Sequence, residues 1–270
     1  MWKSLTRSSG NTACIGVHKI MKRYDIVYIL KEDMDPTELI YSLRSIERNF
    51  PHGRVWFVGG QPEGLVPDGR IRHKQTGMSK WERVRSSWME IIRNKDIPDD
   101  FFLFNDDFFV MEPFRGDFIN YTGGTLEKRI SGLVKAVGNS KYVKELDQAR
   151  RTLINEGYDT MSFALHMPFL VNKRLVFETL STFNSPMFRS LYGNQHRIPY
   201  TYHEDVKIFE NDKDVPPGID FLSTTEESFR HGLVGEYIRE QFREPSKYEE
   251  GWDSLSRVRE LYTEEGDIPR

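Results

Sequence analysis

The sequence predicts an α/β fold in which a mostly parallel, doubly wound sheet carries helices on both faces and a helical extension follows at the C-terminus. Three observations predict it. Short β-branched and aromatic runs alternate with amphipathic helical patterns through the N-terminal part of the chain. The run Phe101 to Phe104 is apolar at every position, as expected of a strand covered on both faces. With 270 residues, 38% of them hydrophobic, the chain is long enough for one large α/β domain or two small ones.

Taken in order, Met1 to Ile20 shows neither helical nor strand period and is expected to be a loose extension (1–20) ahead of a domain spanning 21–225. Tyr24 to Leu30 is a β-branched and aromatic run, hence a strand. Asp35-Pro36 then signals a helix start, with Leu39, Leu43 and Ile46 on one face. Val55 to Val58, closed by Gly59-Gly60, is a second strand and Arg70 to Lys74 a third. A helix is expected from Ser79 to Arg93, and Phe101 to Phe104 is the fourth strand. After Pro113 the rhythm changes to polar Asn120 to Thr125 and a charged helical stretch, Lys141 to Glu156. Segment 113–158 is therefore expected to be an acceptor-side insertion. A strand is expected at Thr160 to Leu165, a helix near Lys173 to Leu180, and loop from there to Pro217. The final part, 226–270, should be a helical extension with helices around Glu236 to Arg243 and Ser254 to Tyr262.

Composition excludes several classes. The 38 Lys and Arg against 41 Asp and Glu give a net charge of −3, and no run of like charge is long, which counts against nucleic acid as a partner. The longest apolar stretches are interrupted by Asn105 to Asp107 and fall short of a membrane span, so no transmembrane segment is expected. The first residues lack the pattern of a secretory signal, and a lone Cys14 fits a reducing compartment, so a cytoplasmic location is expected. Aromatic residues reach 13%, which suits large cores or surfaces that stack sugars or bases. Gly59-Gly60 continues into neither a dinucleotide fingerprint nor a phosphate loop.

Asn105-Asp106-Asp107 is the sharpest chemical signal. It follows a buried strand, and in open α/β sheets ligands bind beyond the carboxyl ends of the strands. Side chains alternate along a strand, so Asn105 and Asp107 share a face and Asp106 points away, unless the chain turns there. Such carboxylates suit magnesium or manganese bridged to phosphate oxygens. Asn and Asp also favour turns, so a plain connection between two strands fits the same residues. Lys80 and Arg83 lie three apart in the first turns of the helix after Ser79, where anions are attracted, or else on an ordinary charged face. His166 follows an apolar segment and could exchange protons near neutral pH, or pack in the core. His203-Glu204-Asp205 with Lys207 adds a second acidic cluster that offers a base.

These residues carry a resemblance. Asp25-Ile26-Val27-Tyr28, Asp35-Pro36, Tyr41 to Glu47 and Phe104-Asn105-Asp106-Asp107 resemble, in order and spacing, the Stealth family of sugar-phosphate transferases, relatives of GT-A glycosyltransferases. His166-Met167-Pro168 and Phe188-Arg189-Ser190 resemble that family's third conserved region. Lys80-Trp81-Glu82, Tyr192-Gly193-Asn194 and Glu204 to Lys207 are similar to small phage-type glycosyltransferases. The resemblance implies a GT-A-like fold, a nucleotide-sugar donor, and a glycan or other hydroxyl acceptor. It implies a manganese or magnesium ion held by Asp106 and Asp107. Asp25, Tyr28, Arg44, Lys80, Arg83, Asn105 and Arg189 would address the donor, and Asp107, His166 and Asp205 would carry the chemistry. Transfer of the sugar, transfer of sugar-1-phosphate, and a non-catalytic carbohydrate- or nucleotide-binding module all remain compatible with the sequence.

Overall fold

The computed structural model describes residues 22–75, 79–115 and 120–251; the expected N-terminal extension with Cys14 and the expected helix Ser254 to Tyr262 lie outside them. The chain runs through strand β1 (Tyr24–Leu30), helix α1 (Thr37–Asn49), strands β2 (His52–Gly59) and β3 (Gly69–Arg72), helix α2 (Lys80–Arg93) and strand β4 (Asp100–Phe104). It continues through strands β5 (Phe108–Val110) and β6 (Asn120–Thr122), helices α3 (Leu126–Val137) and α4 (Lys141–Asn155), strand β7 (Phe169–Asn172) and helices α5 (Lys173–Thr182) and α6 (Phe188–Gln195). Strands β8 (Tyr200–Tyr202), β9 (Lys207–Ile208) and β10 (Phe221–Thr224) precede helices α7 (Glu226–His231) and α8 (Leu233–Gln241).

The central sheet has the order β3-β2-β1-β4-β7. Its first four strands are parallel, and β7 closes the edge antiparallel to β4. This is the mixed α/β architecture with a mostly parallel sheet that the sequence predicts. Alternation along β1 explains its two covered faces. Ile26, Tyr28 and Leu30 pack with Leu39, Leu43 and Ile46 of α1, whereas Val27 joins Trp88 and Ile91 of α2 in the opposite layer. Each such side chain, fully buried, contributes about 1.5–3 kcal/mol. Helix α2 starts where a capping box forms: Ser79 accepts from the Glu82 amide, and Glu82 accepts from the Ser79 amide at 2.8 Å.

A second sheet, β5-β10-β9, packs on α7 and α8 through Phe109, Leu222, Phe229 and Ile238. Its β5 is tied to the buried face of α1. Ser42 Oγ donates to the Phe108 carbonyl at 2.6 Å, Ser45 Oγ accepts from the Val110 amide at 3.0 Å, and Asn49 donates to the Val110 carbonyl at 2.8 Å. Three small polar residues on α1 thus do for one edge of β5 what a neighbouring strand would do.

Three expectations are corrected. Thr160 to Leu165 forms only an isolated bridge, Thr125 to Met161, because α6 side chains satisfy its backbone instead. Asn194 holds both the amide and the carbonyl of Met161 at 2.8 Å, and Ser190 Oγ takes the Phe163 amide at 3.1 Å. The strand follows later, as β7. The segment expected to be loop as far as Pro217 contains α6, β8 and β9, since Phe188, Leu191 and Tyr192 recur at helical spacing and are buried. Polar Asn120 to Thr125 contains β6, which pairs in parallel with β8. Among the described residues no helix is long and apolar enough to cross a membrane.

Candidate functional site

From β1 the chain lays β2 and β3 to one side and then returns to place β4 on the other, so the winding reverses between β1 and β4. A crevice opens beyond the carboxyl ends of strands at such a reversal. Asn105 to Phe108 fills that position as a turn, closed by the Phe108 amide donating to the Asn105 carbonyl at 3.3 Å. The chain therefore does turn after β4, and strand alternation does not govern Asp106 and Asp107.

Two carboxylates of the turn and one of α1 share this end of the sheet. Asp107 Oδ2 accepts from Lys207 Nζ at 2.7 Å and from Ser223 Oγ at 3.2 Å, while its Oδ1 is buried without a hydrogen-bond partner. Burial and the neighbouring Asp107 charge push the Asp106 carboxyl above its ordinary range, with Lys80 and Lys207 pulling the other way. Glu38, in the first turn of α1, accepts from Thr224 Oγ1 at 2.6 Å. Burial raises it to about 7, the Thr224 hydrogen bond opposing and the Asp107 and Asp106 charges adding.

A second pair faces this turn. Asp205 accepts from His166 Nδ1 at 2.9 Å and 3.1 Å, from the His166 amide at 3.2 Å, and from Arg129 at 3.3 Å. Burial works against its ionisation, but the His166 ring and Arg129 outweigh burial and hold Asp205 well below the usual carboxylate range. An ionised Asp205 only accepts, so His166 Nδ1 carries a proton and donates it, and in the neutral imidazole the lone pair is then on Nε2. The side chains are 28% and 27% exposed, which keeps the pair reachable.

Arg189, on the first turn of α6, joins the two groups. It donates to the carbonyls of Leu165 at 2.9 Å and Met167 at 2.8 Å, on either side of His166, and to Asn105 Oδ1 at 3.3 Å. Its guanidinium lies 5.3 Å from the Phe108 ring centroid and 5.4 Å from that of Phe169. Burial draws it down to about 10, with Asp107 and Asp205 acting in the opposite direction. Gly193, a turn further along α6, presents no side chain to Phe163, whose ring would clash with an added Cβ. That close approach seats α6 against the segment leading to His166.

Among the residues singled out in the sequence, Asn105, Asp106, Asp107, His166, Arg189 and Asp205 are gathered at this crevice. Lys80 starts α2 within electrostatic reach of Asp106, and Arg83 follows one turn on, half-buried. Three others are engaged by structural partners, Tyr28 beneath the acidic turn and Asp25 and Arg44 away from it. Asp25 sits at the amino end of β1, where its carboxylate takes the Arg54 amide at 2.9 Å and the Trp56 indole at 2.9 Å. Tyr28 is fully buried, its hydroxyl 2.9 Å from Ser42 Oγ. Arg44 is clamped to Glu249 at 2.6 Å and to the carbonyls of Phe242 and Arg243, because α1 turns that face toward the segment after α8. Asp25, Tyr28 and Arg44, expected to address a donor, are each engaged by partners within the protein. Glu38, Ser223, Thr224 and Arg129 were not singled out. Glu38 alone had a local signal, an acidic residue directly after the first strand and its helix start.

Among the described residues no three His, Cys, Asp or Glu side chains converge to hold a metal ion by themselves. The turn instead fits a hard dication that takes one or two carboxylates and completes its shell with water and phosphate, because Asp107 Oδ1 is unpartnered and the Asp106 carboxyl lies beside the Asp107 charge.

No protein-family model matches the sequence, and no curated protein matches it. Among solved structures the chain is similar to the galactosyltransferase LgtC in complex with donor and acceptor sugar analogues, with 12% identity over 85% of this chain and 99% of that chain and a TM-score of 0.45. It is similar to an active-site mutant of LgtC at 10% identity, the same coverage and a TM-score of 0.46. A third structure, the glycosyltransferase GlyE of Streptococcus pneumoniae, shares 12% identity over 92% of this chain and 66% of that chain, with a TM-score of 0.43. What the fold and site of this chain define by themselves is an α/β protein with an acidic turn and a His–Asp pair at one strand reversal.

Proposed function

We propose that the protein is a GT-A-like glycosyltransferase that moves a sugar from a nucleotide-sugar donor to a hydroxyl acceptor. The observation that carries this reading is the convergence of the Asp106–Asp107 turn and the His166–Asp205 pair, bridged by Arg189, at the reversal between β1 and β4.

In this mechanism His166 Nε2 takes the acceptor proton while the other proton stays on Nδ1, hydrogen-bonded to Asp205, whose charge steadies the imidazolium that forms. Arg129 and the His166 amide keep Asp205 ionised and fixed. Arg189 sets the distance between the base and the acidic turn through backbone carbonyls and Asn105. Lys80 and Arg83 place positive charge at the start of α2, where a departing diphosphate is stabilised. Asp106 and Asp107 would hold magnesium or manganese, which when bound supplies charge neutralisation of the leaving diphosphate.

The test is incubation with a panel of nucleotide sugars and manganese, identifying the released nucleotide by mass spectrometry. A nucleoside diphosphate supports glycosyl transfer. A nucleoside monophosphate together with transferred sugar phosphate would replace it with sugar-phosphate transfer, and donor binding without turnover by the wild type, unchanged in Asp107→Asn, would point to a binding module.

A further inference from the structure

We infer that the tip of the α3–α4 hairpin docks the protein on an anionic lipid surface, where Val134, Val137 and Tyr142 enter the headgroup layer and Lys135, Lys141 and Lys144 meet the lipid charges. The transferase reading uses none of these side chains, so the two stand or fall separately.

Residues 128–144 contain five Lys and Arg and no Asp or Glu, in a chain whose net charge is −3. Arg129, at the base of α3, is taken by Asp205 at 3.3 Å, and Lys141 stands 3.9 Å from Glu145, one turn along α4. Among the described residues no carboxylate pairs with Lys135 or Lys144, and both side chains are exposed. Apolar residues share the same tip. Helix α3 turns Leu126, Ile130 and Leu133 toward α4, where they pack with Leu146, Ala149 and Leu153. Val134 and Val137 fall off that stripe and are 42% and 63% exposed; Tyr142, just across the turn, is 39% exposed. The tip projects, because a Cβ added at Gly132 or at Gly138 meets no atom of the described residues within 4 Å.

Apolar tip and surrounding cations together select the partner. Lysines alone fit any anion. Aliphatic side chains such as Val134 and Val137 gain nothing from a nucleic-acid backbone, and a second copy of this chain meeting tip to tip sets like charges against each other. A bilayer interface suits both features: it takes apolar side chains below the headgroups and, where the lipids are anionic, attracts each nearby lysine. Arg129 ties the base of α3 to Asp205, and from Arg129 to Val137 the helix rises about 12 Å. A docked tip therefore brings the His166–Asp205 pair close to the lipid surface.

The experiment is cosedimentation of the full chain with vesicles of phosphatidylcholine alone and of phosphatidylcholine mixed with phosphatidylglycerol. Wild type should bind the anionic vesicles, bind them more weakly as salt is raised, and ignore the neutral ones. Lys135→Gln combined with Lys144→Gln should weaken binding about thirtyfold, at roughly fivefold per charge. Val137→Ser keeps every charge and should still weaken it about tenfold, because the bilayer offers that side chain an apolar layer. Val134→Ser should act alike, and both positions are exposed, so circular dichroism of each variant should match wild type. Failure of wild type to bind anionic vesicles, equal binding of neutral ones, or binding that the lysine or the valine variants leave unchanged overturns the inference. An RNA oligonucleotide retained through the same lysines, or a dimer broken by Val137→Ser, with vesicles ignored, overturns it and assigns the tip to that partner.

Discussion

Glu38 gives the account a quantitative handle that needs no substrate. Its carboxyl is raised from an ordinary 4.5 to about 7, chiefly by burial and then by the Asp107 and Asp106 charges, against the Thr224 hydrogen bond. In the pH window between those values the unfolded chain has released a proton that the folded protein retains. Stability therefore falls as pH rises through the window and levels off above it. At ~1.36 kcal/mol per unit, the ceiling on the loss is ~3 kcal/mol. Glu38 is only half-buried, and solvent screening reduces the expected loss to about 1–2 kcal/mol. Glu38→Gln keeps an oxygen that accepts from Thr224 and removes the titration. Relative to wild type it should gain about 1–2 kcal/mol between about pH 5 and about pH 8, measured by urea unfolding with chelator present. A difference between the two proteins that does not change with pH would refute the reasoning.

Asp205→Asn removes the charge that fixes the His166 tautomer and should lower kcat by about 10²–10⁴ with little change in donor binding. Because Asp205 is held below its ordinary range, it stabilises the fold above that range and this contribution is lost toward acid, so the variant's acid unfolding should be shallower. Arg189→Lys cannot reproduce the planar contacts to Leu165, Met167 and Asn105, and should cost up to about a hundredfold in turnover by shifting His166 against the acidic turn. Arg44→Ala leaves Glu249 without its bidentate partner, with the pair only 14% and 16% exposed, and should lower stability by about 2–4 kcal/mol in a denaturant titration.

The parallel half of the fold was legible because its signals are local. Runs such as Tyr24 to Leu30 and Phe101 to Phe104, and the Ser79 to Glu82 capping box, state element type without reference to the rest of the chain. Thr160 to Leu165 misled because its composition suits a strand, whereas its backbone partners are Asn194 and Ser190, distant in sequence. β9 is only two residues long, so no periodicity could reveal it, yet it delivers Lys207 to Asp107. The acidic turn and His166 were visible as residue types after apolar segments. That Asp205 bonds His166, and that Arg189 braces both, depends on contacts across the fold that no spacing encodes. Asp25 shows the converse: a motif match placed it with the donor, but it lies at the amino end of β1 and serves Arg54 and Trp56.

The central claim is that one crevice, at the reversal between β1 and β4, performs sugar transfer. It is tested most directly by measuring nucleotide released from a panel of nucleotide sugars by wild type, Asp107→Asn and Asp205→Asn side by side. The account predicts a nucleoside diphosphate from wild type with at least one donor, and near-complete loss of it in both variants while each remains folded. Silence of the wild type across the panel, or variants that release nucleotide as fast as wild type, would contradict it.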